Sequence, residues 1–255
     1  MKENENENEN ENVDKKNIDD LKENEFEILK EDADYDIIFK IMLIGDASVG
    51  KSTLINKLLK QESSEKSTIG FDLRNVNIKV EDKICKLEIW DTCGQENYRS
   101  LITKFYQNSS LMILVYAINN RKSYDELDYW KYQINKHCKK GIKIILVGNK
   151  SDLNDERIVS EEEGKKYCQE NHFDSFFESN FLEDKSIEKI FFKCVDLLYK
   201  EFKNMDIDDI RLTIGSLDKY GLGDKNNIPN NLKNNKTNDD NMNKDTNDSK
   251  GGCCK

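Results

Sequence analysis

Residues 45–52 read Gly-Asp-Ala-Ser-Val-Gly-Lys-Ser, the pattern G-x-x-x-x-G-K-S. Gly45 and Gly50 allow the backbone of Ala47, Ser48 and Val49 to curl into a concave nest of N–H donors. A helix starting over Lys51–Thr53 adds the partial positive charge of its N-terminus. The Lys51 ammonium suits the β- and γ-phosphates of a nucleotide, and the Ser52 hydroxyl is a hard oxygen ligand for Mg²⁺. This chemistry serves kinases, ATPases and GTPases alike. It selects a triphosphate and no base.

The base is addressed by Asn149-Lys150-Ser151-Asp152, about one hundred residues downstream and at the end of an apolar run. A carboxylate there accepts both the N1–H and the exocyclic N2–H of guanine. Adenine offers neither donor, so Asp152 left unpaired would cost about 1–3 kcal/mol or more. A third cluster is Trp90-Asp91-Thr92-Cys93-Gly94-Gln95-Glu96. Asp91 is placed to hold Mg²⁺ through water, Gly94 to offer its N–H to a γ-phosphate, and Gln95 to orient an attacking water. Thr68, in Ser67-Thr68-Ile69-Gly70-Phe71, supplies a second hydroxyl for Mg²⁺ when a γ-phosphate holds that loop.

These residues need a scaffold that gathers loops at one edge. Apolar, β-branched runs occur at Ile37–Ile44, Val76–Val80, Ile84–Trp90, Leu111–Ile118, Ile142–Val147 and Phe173–Phe177. Helical patterns fall between several of them, at Gly50–Lys60, Arg121–Lys139, Ser160–Glu170 and Lys185–Phe202. Strands alternating with helices predict an α/β fold, a doubly wound, mostly parallel six-stranded sheet. Only Glu81-Asp82-Lys83 separates the second and third runs, which predicts a hairpin and one antiparallel edge strand.

The chain has 255 residues and a formal net charge of −10. Residues 1–35 carry 14 acids and 5 bases, residues 36–203 carry 27 of each, and residues 204–255 carry 9 and 8. The charge therefore belongs to an N-terminal arm, and the middle is neutral. Residues 36–203 are the right size for one domain. The Glu/Asn-rich arm 1–35 and the tail 204–255 read as disordered, since neither has the apolar content to offset its chain entropy. Ile18, Leu21, Ile28 and Leu29 are spaced as in a transient helix or an intramolecular latch. No basic patch points to nucleic acid. No run approaches the ~20 apolar residues of a membrane span, and residues 2–12 do not form a secretory signal. Cys85, Cys93, Cys138, Cys168 and Cys194 read as reduced cytosolic thiols. His137 and His172 read as solvated or core histidines.

Four features together, Gly45–Ser52, Thr68-Ile69-Gly70, Trp90–Glu96 and Asn149–Asp152, resemble the Ras-like small GTPases. Lys86–Thr92 and Tyr98-Arg99-Ser100-Leu101 are similar to the Rab family within them. The resemblance implies the phosphate-loop GTPase fold over residues 36–203, binding of GTP, GDP and Mg²⁺, and slow GTP hydrolysis with Gln95 as the catalytic side chain. It implies loops at Gln61–Leu73 and Thr92–Tyr106 that are ordered with GTP and loose with GDP. The implied partners are GTP-dependent effectors, an exchange factor, a GTPase-activating protein, a prenylation escort and a GDP-dissociation inhibitor. The terminal Gly251-Gly252-Cys253-Cys254-Lys255 resembles a doubly geranylgeranylated end. Two lipid chains give stable anchoring where one does not. The implied location is the cytoplasmic face of an intracellular membrane, with a cytosolic pool. Ile210-Arg211-Leu212 is similar to the element such tails offer to the escort, and equally to a frayed end of the last helix.

The chain departs from the family pattern in several places. Ser52 to Thr68 is two residues shorter than usual, and Leu59–Glu65 lacks the aromatic expected against guanine. The family's Ser-Ala-Lys guanine loop falls on Asn180-Phe181-Leu182, where Phe181 still has a backbone N–H to offer. Cys93 stands for an alanine and reads as a small buried residue. The aromatic triad of Rab proteins reads Leu73, Trp90 and Phe105, one aromatic short. These changes predict weaker nucleotide affinity or faster exchange. They also keep alive a rival reading, a non-hydrolysing interaction scaffold.

Overall fold

A computed structural model describes residues 26–29, 33–61, 71–92, 94 and 105–204. Seven strands form one sheet: β1 Phe26–Leu29, β2 Ile37–Ile44, β3 Phe71–Val80, β4 Lys83–Thr92, β5 Leu111–Ala117, β6 Lys143–Asn149 and β7 Ser175–Ser179. Their order is β1-β3-β4-β2-β5-β6-β7. β4, β2, β5, β6 and β7 run parallel, and β3 and β1 extend the sheet antiparallel. The helices are α1 Lys51–Leu58, α2 Arg121–Asp125, α3 Leu127–His137, α4 Glu161–Glu170 and α5 Asp184–Lys203. A 3₁₀ segment, Ser151–Glu156, follows β6.

Both faces of the sheet are covered, so its central strands read as continuous apolar runs. All seven residues of β5 are buried. Ile41 and Leu43 point into a core shared with Leu54, Ile55 and Leu58 of α1 and Ile190, Phe191 and Val195 of α5. Met42 and Ile44 point the other way, against Leu127, Trp130 and Ile134 of α3 and Cys168 of α4. The α/β doubly wound expectation holds, with one addition. The sheet has seven strands, where the sequence pattern gave six.

The added strand corrects the helical reading at Ile28 and Leu29; Ile18 and Leu21 lie outside the described residues. Phe26–Leu29 pairs with β3, Phe26 opposite Val80 and Leu29 opposite Asn77. Phe26 stacks on Phe192 of α5 at 5.3 Å. Four residues are too few for period to separate helix from strand. What decides is the open edge of β3, whose unpaired N–H and C=O groups template a partner. The remaining arm and the tail, including 1–25, 224–250 and Ile207–Leu222, lie outside the described residues.

Other boundaries shift for local reasons. β3 begins at Phe71, five residues before the apolar run, because it pairs with β4 as far as Phe71–Thr92. Polar Asp72, Arg74 and Asn75 hide these residues from an apolar pattern. Asn77 is 1% exposed, and its Nδ2 donates to the Ala33 carbonyl at 3.0 Å. β7 starts at Ser175, since the Phe173 N–H closes the end of α4 on the Cys168 carbonyl at 3.0 Å. Ser160 caps α4 in a reciprocal box with Glu163. The β3–β4 turn is two residues, Glu81 and Asp82, with Glu81 at φ 53°. Lys203 of α5 pairs with the Glu81 carboxylate at 2.6 Å.

A guanine-nucleotide site at the strand ends

The carboxyl ends of β2, β4, β6 and β7 bring the phosphate loop, Asp91, the Asn149–Asp152 loop and the 180–182 loop to one edge. Between β2 and α1, Ser48 (φ 61°) and Gly50 (φ 95°) turn the backbone left-handed. Gly50 caps α1 without a side-chain acceptor, so the first-turn N–H groups of α1 face outward for an anion. A Cβ at Gly50 would stand 2.2 Å from Asn149 Nδ2, and one at Gly94 only 2.3 Å from the Asp46 carbonyl carbon. Gly94 thus lies directly against the phosphate loop. Lys51 is 6% exposed, and its ammonium donates to the Gly45 and Asp46 carbonyls at 2.9 and 2.7 Å. It is stored inside the loop it serves.

The Ser52 hydroxyl donates to Asp91 Oδ2. Asp91 is 4% exposed at the end of β4. A hydroxyl and a carboxylate brought into contact are the hard oxygen donors that suit Mg²⁺. Next to Asp91, Thr92 Oγ1 donates to the Leu43 carbonyl at 2.6 Å and ties β4 to β2 just below the loop. Trp130 of α3 donates its indole N–H to Asp46 Oδ1 at 3.2 Å. Thr68, Cys93 and Gln95, and Cys253 and Cys254 of the tail, lie outside the described residues.

Asn149 joins the phosphate loop to the base loop. Its Nδ2 donates to the Val49 carbonyl at 2.7 Å, and its Oδ1 accepts from Ser179 Oγ at 2.8 Å. Lys150, at φ 69°, turns the chain into the 3₁₀ segment that carries Asp152. Ser151 Oγ donates to the Ser179 carbonyl at 3.0 Å. Asp152 Oδ1 accepts the Phe181 N–H at 3.3 Å. The structure thus brings Asp152 and the 180–182 loop together. Asn180 is the loop's brace: its Oδ1 accepts the Leu182 N–H at 2.8 Å, and its N–H donates to Ser186 Oγ at 3.1 Å. Phe181 and Leu182 are exposed.

Residues that no motif marked complete the site. Ser179, the last residue of β7, holds Asn149 and the Ser151 hydroxyl, and Trp130 holds Asp46. A single serine at a strand end and a core tryptophan carry no signal in sequence. Beside the site, Phe71 stacks on Trp90 at 5.0 Å and meets Phe105 at 4.5 Å, while Trp90 and Phe105 lie 5.2 Å apart. This corrects the reading of a triad one aromatic short. Phe71, two residues before Leu73 and on the same face of β3, supplies the third ring. Leu73 packs against the second core.

Under this cluster lies Lys40. Its ammonium donates to the Phe105 and Gln107 carbonyls at 2.8 and 3.2 Å and sits 4.5 Å above the Trp90 ring. It thereby fastens the chain where the Thr92–Tyr106 loop returns to the body. Burial pushes its amine down to about 8. Burial raises the carboxyl of Glu88, its partner in register on β4. Burial also pushes the Cys85 and Cys138 thiols up to about 12 and Cys168 up to about 11, which leaves them weak nucleophiles.

Comparison with known proteins gives the same answer independently. The sequence model of the Ras family matches residues 40–200. The chain is 35% identical to Ras-related protein RABA1g of Arabidopsis thaliana over 204 residues, 78% of this chain and 93% of the relative. It is 37% identical to Ras-related protein rab-11.1 of Caenorhabditis elegans over 186 residues, 72% and 88% of the two chains. With Ras-related protein YPTC6 of Chlamydomonas reinhardtii it shares 38% identity over 190 residues, 73% and 88%. A phosphate loop bracketed to a guanine-type base loop, on this sheet and among these relatives, makes the chain a member of the Rab family of Ras-like small GTPases, binding GTP and GDP with Mg²⁺.

Proposed function

We propose that this GTPase is a lipid-anchored switch of vesicle traffic that hydrolyses GTP with Gln95 and signals through GTP-dependent effectors. The backbone of Ala47 to Thr53 cradles the phosphates, and Lys51 leaves the Gly45 and Asp46 carbonyls to meet them. Ser52, Thr68 and Asp91 hold Mg²⁺. When bound, the metal neutralises charge on the phosphate oxygens. Gly94 offers its N–H to the γ-phosphate and Gln95 orients the water. Asn149, Lys150 and Asp152, with Asn180, Phe181 and Leu182, take the base. The γ-phosphate orders Gln61–Leu73 and Thr92–Tyr106, and the Phe71–Trp90–Phe105 cluster that links them is the surface an effector meets. Cys253 and Cys254 carry two prenyl chains and place the protein on the cytoplasmic face of an intracellular membrane. An exchange factor, an activating protein, a prenylation escort and a GDP-dissociation inhibitor complete its cycle.

The observation that carries this reading is Asn149, which hydrogen-bonds Val49 of the phosphate loop and Ser179 of the base loop. Phosphate and base recognition are thereby one rigid unit. Competition of labelled GDP against excess GTP or excess ATP tests it. GTP displaces the label and ATP leaves it bound; displacement by both makes Asp152 no base reader. Single-turnover hydrolysis then separates switch from scaffold. Gln95→Leu slows the wild-type rate at least about tenfold if Gln95 orients the water, and equal rates favour the scaffold.

A further inference from the structure

We infer that Phe181 is the stacking platform for the guanine base, a role that rests on the nucleotide reading of Asp152. Its backbone N–H is 3.3 Å from Asp152 Oδ1, so its side chain leaves the backbone at the base reader itself. Phe181 is 40% exposed, in a loop that is otherwise tied by hydrogen bonds. Asn180 and Ser186 exchange hydrogen bonds at 3.1 Å, and the Leu182 N–H closes on Asn180 Oδ1 at 2.8 Å. From α1, the Lys57 ammonium lies 4.9 Å over the ring. Lys57 is in turn paired with Asp184, the first residue of α5, at 2.8 Å. An aromatic held by a cation on one face and exposed elsewhere is preorganised for a second flat partner.

The rest of the chain makes the choice sharper. No Phe, Tyr or Trp occurs between Phe39 and Phe71, a stretch that includes the phosphate loop, α1 and the segment leading to β3. The neighbouring aromatics of β7 are committed elsewhere: Phe177 to the first core and Phe176 to the second. A purine has a π-face whatever its edge donors, and stacking is indifferent to which edge is read. Phe181 therefore supplies affinity while Asp152 supplies selectivity. In this structure the Asp152 carboxylate is engaged by the Phe181 N–H. Guanine N–H groups compete for the same oxygens, so nucleotide entry frees that N–H at the point where the base arrives.

The test is release of N-methylanthraniloyl-GDP from the full chain, chased with excess unlabelled GDP. Phe181→Ala is expected to speed release about 5- to 100-fold, the range of one base–aromatic stack. Phe181→Tyr is expected to stay within about threefold of wild type, and Phe181→Leu, which keeps bulk without a π-face, to behave like Ala. Phe181→Trp adds a readout that a merely structural loop residue would not move: its emission falls on GDP loading, beyond any change from Trp90 and Trp130. Wild-type release from Phe181→Ala, equal acceleration by Ala and Tyr, or an unquenched Phe181→Trp each overturns the stack while leaving the Asp152 reading intact. A wild-type chain that fails to retain GDP against ATP overturns both.

Discussion

Gly50 shows how much one residue determines here. Its φ of 95° is closed to most side chains, and a Cβ would collide with the Asn149 amide at 2.2 Å. Gly50→Ala is expected to cost about 1–3 kcal/mol in backbone strain alone. It also drives Asn149 off the Val49 carbonyl. The melting temperature should fall and retention of labelled GDP should be lost together, whereas a pure strain effect would spare the nucleotide. Lys40 gives a pH signature. Its amine titrates near 8 in the folded chain against 10.5 ordinarily, so between those values the unfolded chain holds more protons. Unfolding free energy should then rise as pH goes from about 8 to about 10.5. Lys40→Met should flatten that limb in chemical denaturation at several pH values. Gly50 and Lys51 were legible in the sequence because their types and spacing repeat a known chemistry. Lys40 was not, because one lysine inside an apolar run says nothing of the two carbonyls 65 and 67 residues away that it fastens.

Among the elements, β1 is the one the pattern misread and the one most open to test. It adds four residues to the edge of β3 and packs Phe26 on Phe192. Phe26 is only half-buried, so Phe26→Ala should cost about 1–2 kcal/mol, below the ~3–5 of a fully buried phenylalanine. Hydrogen exchange should quicken at the β3 amides that face β1, while GDP release stays at the wild-type rate. Accelerated release would mean that this edge communicates with the nucleotide. On the opposite side of the sheet, Ser179 ends β7 and steadies Asn149. Ser179→Ala removes one buried hydrogen bond worth about 1 kcal/mol, so GDP release should speed by roughly fivefold. The β2–α1 junction, α4 with its Ser160 cap, and the β3–β4 hairpin were readable from turn and cap chemistry, which is local. The upstream half of β3 was not, since its polar side chains find partners such as Gln61, which takes the Arg74 guanidinium, only in the assembled fold.

Over the whole molecule, the charge of −10 sits almost entirely on residues 1–35, an acidic arm that joins the sheet through β1, while residues 36–203 are neutral. Neither is drawn to an anionic leaflet, and the arm is mildly repelled. If Cys253 and Cys254 carry the attachment, the prenylated chain should bind neutral vesicles at least as well as anionic ones, with little response to salt. Replacing both with Ser should leave it in the supernatant of a vesicle sedimentation assay. Stronger binding to anionic vesicles would assign the membrane to a different surface. The sequence by itself laid out the proposed chemistry: a phosphate nest, a carboxylate for guanine and oxygen donors for the metal, each a short motif whose spacing is set by the strand or helix next to it. It also determined the doubly wound class, because strands buried on both faces write continuous apolar runs. Only the tertiary structure decided which residues brace those motifs. Asn149 reaches Val49 across 100 residues, Trp130 reaches Asp46 across 84, and Phe71 completes an aromatic cluster that its motif position did not promise. Such contacts depend on strand order and register, and no local pattern records them.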